Sequence, residues 1–433
     1  MLKMKDSGVE WIGEIPANWS ISRIKYVAEF DPVCNKSAIN GSSLITYTPM
    51  DCIKHGWFIN NSAPLESLST SLTTYQEGDI VMAKVTPCFE NGNIAIMEGL
   101  YNGFGMGSSE LFVFRPKSID TKFFFYWLQN NAFVQKAKAT MTGTGGLKRV
   151  SPVFTRNCPI HIPPYKDQNR IALYLDGKLA QVNILIANVQ AQIEKLKAYK
   201  QSVITEAVTK GLDPTAPMKD SGVTWIGEIP EEWVVKPLLR EIETIVDYRG
   251  KTPEKVDEGI LLVTARNIKD GRIDYSISRE YVRAEEYDEI MHRGKVNIGD
   301  VLFTTEAPLG AVANADRTDF ALAQRIIKFT TKNTLNPYFL KYWILSSIFQ
   351  QHLKSYATGS TATGIKASKL CLLQLVHPPL SVQNAIVSAL DKKSDQINRL
   401  ISIKQAKIEK LEQYKRSLIY EYVTGKKEVP AQN

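Results

Sequence analysis

The segment MKDSGVEWIGEIPANW, residues 4–19, recurs in the middle of the chain as MKDSGVTWIGEIPEEW, residues 218–233. Thirteen of the sixteen residues agree, at an offset of 214. A second pair of matching segments, IEKLKAYKQSVITEAVT at 193–209 and IEKLEQYKRSLIYEYVT at 408–424, repeats at nearly the same offset. A period of this length indicates duplicated domains rather than a solenoid of short repeats. The sequence therefore predicts two tandem copies of one structural unit.

The segments between the matching ends of each copy differ strongly in sequence. One stretch still corresponds, EGDIVMAKVTP at 77–87 and IGDVLFTTEAP at 298–308. Further short β-branched runs are bounded by Gly, Asn, Asp or Pro, which is typical of strands: ITYT and ELFVFRP in the first copy, ILLVTA and RIIKFTT in the second. Each copy is thus predicted to hold an α+β globule with polar, glycine-rich loops, GTGGLKR at 143–149 and GSTATGIK at 359–366.

Each copy ends in an apolar repeat with alternating steps of four and three residues, the a/d pattern of a coiled coil. The repeat follows two consecutive prolines in each copy, Pro163-Pro164 and Pro378-Pro379, which favour a sharp entry into a helix. Two interpretations remain open: the two helices pair with each other, which we favour, or each packs on its own globule. The predicted seam consists of Leu175, Leu179, Val182, Ile186, Val189, Ile193, Leu196 and Val203, followed in the second copy by Leu390, Ile397, Ile401, Ile408, Leu411 and Leu418.

These patterns together predict an α+β fold with two tandem, pseudo-two-fold related globular domains separated by two long antiparallel coiled-coil helices. The predicted boundaries are 1–160 for the first globule with its N-terminal repeated segment and 161–211 for the central helix. They are 212–375 for the second globule with its repeated segment and 376–433 for the C-terminal helix.

Composition limits the class of protein. The net charge is +8 and the isoelectric point about 9.0, which favours a polyanionic partner such as nucleic acid or an anionic membrane surface. The five cysteines are scattered and form no C-x-x-C pair, which argues against a disulfide framework or a zinc knuckle. No apolar stretch approaches the roughly 18 residues of a membrane span, and no secretory signal is evident, so we expect a cytoplasmic protein.

Three near-motifs for catalysis each lack a required residue. YNGFG followed by IPPY imitates the segments of an amino-methyltransferase, but Ile162 offers no side-chain acceptor where the target amino group would be held. GSTATGIK resembles a phosphate-binding loop, but Ile365 stands between the last glycine and the lysine. Asp300 and Glu306 resemble a metal-nuclease motif, but Pro308 occupies its lysine position. The sequence therefore predicts no metal site, no cofactor in this chain and no enzymatic activity of its own.

The ordered set of WIGEIPxxW, a Gly-Asp strand, a TG-rich loop, PPxxxQxxI and a long helix with IEKL, present twice, resembles the specificity subunit of type I restriction-modification systems. The resemblance covers essentially the whole chain. The family pattern has Glu before the Gln of this motif, whereas this chain has Asp167 and Val382.

The resemblance implies a non-catalytic, double-stranded-DNA-binding subunit. It implies two target-recognition domains, each reading one half of a bipartite, asymmetric site, with the helix pair setting the spacing. It also implies two adenine-N6 methyltransferase subunits that bind S-adenosylmethionine, and motor-nuclease subunits that use ATP and magnesium. Two identical partners need two equivalent docking surfaces, which accounts for the duplicated ends of the copies.

Polar loop residues of the divergent regions are the predicted DNA contacts, because specificity comes from side chains that meet base edges and affinity from cations on phosphates. They are Lys54, Lys84, Thr86, Asn91, Asn93, Lys148, Arg149, Arg249, Lys251, Arg266, Asn267, Lys269, Thr305, Lys366 and Lys369. The predicted partner-docking residues, which would pack on the helices or on the partner, are Trp11, Ile12, Ile15, Trp19, Trp225, Ile226, Ile229 and Trp233. The alternative interpretation is that these apolar residues fill the local core.

Two other classes of function stay open at the level of sequence. One is a self-contained methyltransferase, or the specificity part of a fused restriction enzyme. The other is a duplicated coiled-coil scaffold without affinity for DNA.

Overall fold

A computed structural model describes residues 3–34, 39–248, 253–358 and 364–430. The chain divides into two compact units. Unit 1 comprises Met1–Val189 together with Ala406–Asn433, and unit 2 comprises Gln190–Gln405. The predicted boundaries followed the order of the chain, whereas each unit combines one globular region with a segment of both long helices.

The strands and helices that begin in unit 1 follow the chain in order. They are β1 Met4–Asp6, β2 Glu14–Pro16, β3 Ser20–Arg23, α1 Ile24–Val27, β4 Ala28–Phe30, β5 Leu44–Thr48, β6 Asn61–Pro64, β7 Thr73–Gln76, β8 Ile80–Ala83, β9 Ile94–Ile96, β10 Phe104–Gly107, β11 Leu111–Pro116, α2 Thr121–Leu128, α3 Asn131–Ala139, α4 Pro152–Asn157, β12 Pro159–Ile162 and α5 Tyr165–Lys210.

The elements that begin in unit 2 repeat this pattern with some additions. They are β13 Met218–Asp220, β14 Glu228–Pro230, β15 Val234–Pro237, β16 Ile242–Asp247, β17 Ile260–Val263, β18 Ile268–Lys269, β19 Arg272–Ile273, β20 Tyr281–Val282, α6 Tyr287–Ile290, β21 Val301–Thr304, β22 Val312–Asn314, β23 Phe320–Leu322, β24 Ile326–Thr331, α7 Pro337–Leu345, α8 Ser347–Ser355, β25 Gln374–His377 and α9 Leu380–Val423.

Unit 1 contains two four-stranded sheets. One is antiparallel in the order β4-β11-β8-β9. The other has the order β6-β5-β10-β7, in which β10 is parallel to β5 and antiparallel to β7. Phe114 of β11 meets Phe124 of α2 edge to face at 5.6 Å between ring centroids, and both are fully buried. The antiparallel sheet therefore packs on α2 through an aromatic core.

The antiparallel sheet of unit 2 has the same strand order as that of unit 1, and its second sheet has three described strands, β20-β17-β23, instead of four. Its antiparallel sheet runs β16-β24-β21-β22, and β17 pairs in parallel with β23 as β5 does with β10. The predicted strands of both copies are confirmed as β5, β8, β11, β17, β21 and β24. The predicted α+β fold with two tandem globular regions and two long helices is also confirmed.

A buried glutamine connects the start of α5 to the globular region in unit 1. Gln168 lies in the first turn of α5 and is 2% exposed. Its Nε2 donates to the carbonyl of Pro163 (2.9 Å), and its Oε1 accepts from the backbone N–H of Asp120 (2.7 Å). Asp120 is in turn the N-cap of α2. The Gln of the PPxxxQxxI motif thus fixes the angle between α5 and α2 by satisfying two backbone groups at once.

Gln383 does the same in unit 2, and its replacement provides a test. It donates to the carbonyls of Pro378 (2.8 Å) and Thr334 (3.1 Å) and accepts from the N–H of Asn336 (2.8 Å). We expect Gln383→Leu to lower the free energy of unfolding by about 1–3 kcal/mol, because it leaves buried backbone groups without partners. Urea unfolding should show this loss, whereas Gln396→Leu, on an exposed face of α9, should change stability little. Equal effects of the two substitutions would contradict the role of Gln383.

The α5 and α9 segments of unit 1 lie side by side. Leu175 and Leu179 of α5 share a core cluster with Leu418 of α9 and with side chains of the globular region. The rings of Tyr174 and Tyr422 pack at 4.7 Å between centroids, and their hydroxyls lie 3.2 Å apart. In unit 1, α5 therefore contacts both the other helix and its own globular region, as the two open interpretations separately predicted.

The helix segments of unit 2 run antiparallel. Lys404 Nζ donates to Gln192 Oε1 at 2.6 Å, and about two turns away Lys200 Nζ donates to Asn398 Oδ1 at 3.0 Å. Because α5 advances between these two contacts while α9 goes back, the segments have opposite directions.

The buried positions near the end of α5 depart from the predicted seam. Val203 is only half-buried, whereas Ile204 and Val208 are buried and share a core cluster with Trp233. An α-helix has 3.6 residues per turn, so a strict seven-residue pattern drifts by about 20° per heptad unless the helices supercoil. Contact with the repeated segment rather than the helix partner decides which residues are buried here.

The repeated N-terminal segment of unit 1 lies inside the fold. Ile12, Ile15 and Trp19 are buried in the same cluster as the end of α9. Trp19 stacks on His161 at 5.7 Å between centroids, and a side chain at Gly425 would collide with Pro16 beside Trp19.

The equivalent segment of unit 2 is buried in the same way. Ile226, Ile229 and Trp233 pack against the end of α5, and the half-buried Trp225 stacks on His352 at 3.9 Å between centroids. The predicted docking residues of both segments, Trp11, Ile12, Ile15, Trp19, Trp225, Ile226, Ile229 and Trp233, therefore pack on the helices or in the local core. Six of these eight side chains are buried, whereas Trp11 and Trp225 are half-buried and keep part of their surface accessible.

Candidate nucleic-acid interface

In unit 1 the glycine-rich loop, residues 143–149, is held against a turn that contains the cis peptide bond Thr86-Pro87. The backbone N–H of Thr86 donates to the carbonyl of Lys148, and the N–H of Lys148 donates to Thr86 Oγ1, each at 2.9 Å. The same hydroxyl donates to the carbonyl of Gly146 at 2.9 Å. Three of the predicted DNA contacts, Thr86, Lys148 and Arg149, are thereby brought together on one exposed edge.

An ion pair between Arg149 and Glu110 lies at this edge. Arg149 Nε and Nη2 donate to the two oxygens of Glu110 at 2.9 and 2.7 Å, a bidentate arrangement. The hydrogen bond from Arg149 lowers the pKa of Glu110. Lys84 lies next to the pair, where its Nζ uses one of its three N–H donors on the carbonyl of Leu111 at 3.3 Å.

The other candidates of unit 1 lie on the same turn or beside it. The backbone N–H of Asn91 donates to the carbonyl of Pro87 (2.9 Å), so the turn continues through residues 91–93. Asn91 is exposed and Asn93 half-buried. The carbonyl of Lys54 accepts from the N–H of Ile94 at 3.1 Å, which places Lys54 beside this turn. These backbone contacts thus place all seven candidates of unit 1 on neighbouring segments.

Unit 2 builds a corresponding edge from different residues. A cis peptide bond joins Ala307 and Pro308. Glu306 forms an antiparallel bridge with Gly364 of the second glycine-rich loop. Arg325 Nε lies 2.7 Å from Glu306 Oε1. A cis-proline turn, a paired loop and an arginine–glutamate ion pair are therefore present in both units.

Two predicted contacts of unit 2 are corrected by the structure. Thr305 is 2% exposed, and its hydroxyl donates to the carbonyl of Arg325 at 3.2 Å. Asn267 is fully buried; its Oδ1 accepts from the N–H and hydroxyl of Thr264 (2.9 and 2.8 Å), and its Nδ2 donates to the carbonyl of Asp274 (3.0 Å). Both side chains stabilise their own turns and are removed from the candidate DNA contacts.

The remaining candidates of unit 2 are exposed. Arg266 lies on a short 3-10 turn, Ala265–Asn267, and Lys269 ends β18. Lys366 and Lys369 lie beside the loop at Gly364. Arg249 and Lys251 lie outside the described residues.

Sequence reasoning missed Arg325 and the two glutamates that hold the arginines. Glu306 was considered only as a metal ligand, and Glu110 was not considered. The available signal was positional: Glu110 and Arg325 both stand directly before equivalent strands, β11 and β24. Large exposed apolar side chains near the unit 1 edge, Trp57 and Leu147, were also missed; each exposes more than half of its surface.

The described part of the chain gives little support to a metal site, a nuclease motif or a membrane-spanning helix. There, no group of three or more His, Cys, Asp or Glu side chains is arranged to hold a metal ion. Asp300, which resembled part of a nuclease motif, is 4% exposed and forms an internal ion pair with Lys328. Within the same described ranges, no helix is both long and apolar enough to cross a bilayer.

Comparison with known proteins gives a consistent result. The chain is 32% identical over 198 residues to the EcoAI type I restriction enzyme specificity subunit of Escherichia coli, a match that covers 44% of this chain and a third (33%) of that relative. It is 24% identical over 440 residues to the putative type I restriction enzyme MjaX specificity subunit of Methanocaldococcus jannaschii, covering 96% of this chain and 95% of that one.

A solved structure on complex assembly and conformational transition of the type I R-M system contains a chain of the same fold. Its TM-score is 0.70 at 17% identity, with 94% of this chain and 98% of that chain covered. The model of the type I restriction modification DNA specificity domain matches residues 16–195 and 240–413. With both copies matched over most of its length, the chain belongs to the type I restriction-modification specificity subunits, which are the DNA-recognition and not the catalytic components of these enzymes, and it carries two target-recognition domains.

Proposed function

We propose that this chain selects the DNA sequence for a type I restriction-modification complex, with each target-recognition domain reading one half of a bipartite, asymmetric site. Its two long helices set the distance between the half-sites. The α5 helix has 46 residues, which at about 1.5 Å per residue correspond to roughly 69 Å. That length spans about two turns of B-DNA at roughly 34–36 Å per turn.

The observation that carries this proposal is the pair of corresponding edges. Both units combine a cis-proline turn, a loop paired to it and an arginine–glutamate pair. The side chains around this shared geometry differ. Unit 2 has Thr305 where unit 1 has Lys84, and Ala307 where unit 1 has Thr86. At the loop bridge, unit 2 has no lysine that corresponds to Lys148. Equal frameworks with different polar side chains are what two different half-sites require.

The duplicated framework also supports two identical partners. Each unit contains the WIGEIPxxW segment packed on a helix end and a buried glutamine at a helix start. We propose that each unit docks one adenine-N6 methyltransferase subunit, which binds S-adenosylmethionine. Motor-nuclease subunits that use ATP and magnesium would complete the restriction complex.

Modification-sensitive sequencing tests the proposal. Cells that express this chain with its genetically adjacent methyltransferase should carry N6-methyladenine in a split motif, with two defined segments separated by unspecified bases. Cells that express the methyltransferase alone should lack this motif.

The control for assembly is purification of the complex from the same cells. If the two proteins form a soluble complex and methylation is unchanged, sequence recognition by this chain is excluded. A role as a duplicated scaffold would then be the better explanation.

A further inference from the structure

Each target-recognition domain places one arginine in the same setting, although the two arginines come from different parts of the chain. Arg149 belongs to the glycine-rich loop of unit 1. Arg325 directly precedes β24 in unit 2, where unit 1 has Glu110 before β11. Glu306 and its loop partner Gly364 occupy the places of Val85 and Arg149. The residue that precedes the equivalent strand thus changes sign between the units, and its ion-pair partner lies on the glycine-rich loop in unit 1 but on the cis-proline turn in unit 2.

The ion pair at each edge is informative because the backbone around it does not require it. An exposed ion pair contributes only about 0–1 kcal/mol to stability. Both edges are already joined by backbone hydrogen bonds, Thr86 to Lys148 in unit 1 and Ile365 to Thr305 (2.9 Å) in unit 2. A guanidinium at this point is thus better explained by what it can bind than by what it stabilises.

The two guanidinium groups are held but accessible. Each arginine side chain is 48% exposed, and each lies 2.7 Å from a carboxylate oxygen. Arg149 uses two of its five N–H groups on Glu110. Since the carboxylate fixes the orientation of the side chain before DNA arrives, less rotamer entropy is lost on binding.

We propose that Arg149 and Arg325 are the base-reading arginines of the two domains, each donating to O6 and N7 of a guanine in the major groove and each positioned by its glutamate. Guanine presents two acceptors in that groove at the spacing of a guanidinium fork, and arginine is the residue that fits them best. The inference rests on the proposed function. It goes further by assigning one guanine in each half-site to one named residue.

The experiment uses the complex of this chain with its methyltransferase and compares methylation of site variants. For Arg325→Ala we expect discrimination against other bases to fall by about 5- to 150-fold at one guanine of one half-site, with the other half-site unchanged. Arg149→Ala should relax one guanine of the opposite half-site. Each variant is therefore the control for the other.

Two further variants separate base reading from simpler roles. Arg325→Lys keeps the charge but not the fork, so it should still lose the guanine preference. Glu306→Gln should weaken the preference less than Arg325→Ala does, because it disturbs only the orientation of the arginine. Arg283→Ala, which removes a half-exposed arginine of another ion pair in unit 2, should leave the motif unchanged.

Several results would overturn the inference while leaving the proposed function intact. They are a wild-type split motif without guanine in one half-site, an unchanged base preference in Arg325→Ala, or a loss of affinity on all sequences that Arg325→Lys restores. The last result would identify a phosphate contact. By contrast, a wild-type complex that produces no split motif would remove the proposed function itself.

Discussion

Replacement of Lys328 by valine should lower the free energy of unfolding of unit 2 by about 3–5 kcal/mol. The side chains of Lys328 and Asp300 are 4% and 3% exposed, and their charged atoms lie 3.0 Å apart. Asp300 also accepts from the hydroxyl of Thr330 (2.7 Å) and the N–H of Asn297 (2.8 Å). Without the lysine, the carboxylate remains buried with its charge uncompensated, and this desolvation cost is the source of the expected loss.

Unit 1 suggests a rescue of this variant. There the equivalent aspartate, Asp79, is 1% exposed and pairs with Arg115, whose Nε and Nη2 both lie 2.8 Å from its oxygens. By the strand registers, Arg115 corresponds to Thr330, and the residue that corresponds to Lys328 is Val113. The double variant Lys328→Val/Thr330→Arg reproduces the unit 1 arrangement and should recover part of the lost stability.

Urea unfolding followed by tryptophan fluorescence measures both effects. If the two units unfold in separate transitions, only the transition of unit 2 should move. Lys295→Ala is the control, since Lys295 forms an ion pair while 62% exposed and its loss should cost less than about 1 kcal/mol. A loss below about 1 kcal/mol for Lys328→Val as well would show that the buried pair is not required.

The same aspartates show what the sequence could and could not predict. The Gly-Asp segments at 77–87 and 298–308 were recognised as equivalent, and both form the predicted strands. Their partners could not be predicted, because the cation that neutralises each aspartate comes from a strand about 30 residues further on and from a different register position in each unit. Pairing across a sheet depends on register, and a shift of one residue moves a side chain to the other face.

The candidate DNA-binding edge was predicted in part for the same reason. The glycine-rich loops and the TP and AP turns were each visible in the sequence as loop signals. Their association was not, because Thr86 and Gly146 are 60 residues apart and meet only through tertiary structure. Arg325 was missed since an arginine at the start of an apolar strand is usually a solvated flank.

The repeated segments were interpreted less accurately. Duplication correctly indicated two copies, but the sequence did not reveal that the N-terminal copy packs on the end of α9, about 400 residues later. Lys426 Nζ donates to the carbonyl of Glu14 at 2.6 Å, and Gly425 lies against Pro16 and Trp19. Apolar residues that the sequence suggested were available for a partner are therefore buried in a contact between the two ends of the chain.

His161 is central to that contact, and acid should weaken it. The ring is 1% exposed, stacks on Trp19, and has its Nε2 2.6 Å from the carbonyl of Val423 at the end of α9. A carbonyl only accepts, so at this short distance Nε2 carries the proton and donates, and it cannot at the same time accept from the indole Nε1 of Trp127, which lies 3.2 Å away. Nδ1 is buried and has no hydrogen-bond partner among the described residues. Protonation of Nδ1 would thus create a buried cation with an unsatisfied donor.

Burial accordingly lowers the pKa of His161 from 6.5 to about 4, with the positive charge of Lys426 adding to the effect. Well above pH 6.5 the residue is neutral in both the folded and the unfolded chain and makes no pH-dependent contribution. Between about pH 6.5 and pH 4 the unfolded chain binds a proton that the folded chain does not. The free energy of unfolding of unit 1 should therefore fall by about 1.4 kcal/mol per pH unit as the pH is lowered through that interval, about 3 kcal/mol in total.

The variant His161→Val isolates this contribution, because valine is the residue at the equivalent position of unit 2, Val376. The variant should be less stable than wild type at pH 7.5, since it loses the hydrogen bond to Val423. The difference should shrink by about 3 kcal/mol on going to pH 4, because only the wild type carries the histidine penalty. A wild-type-minus-variant difference that is constant from pH 7.5 to pH 4 would mean that His161 titrates alike in both states, and that acid loosens the junction between the N-terminal segment and α9 through other groups.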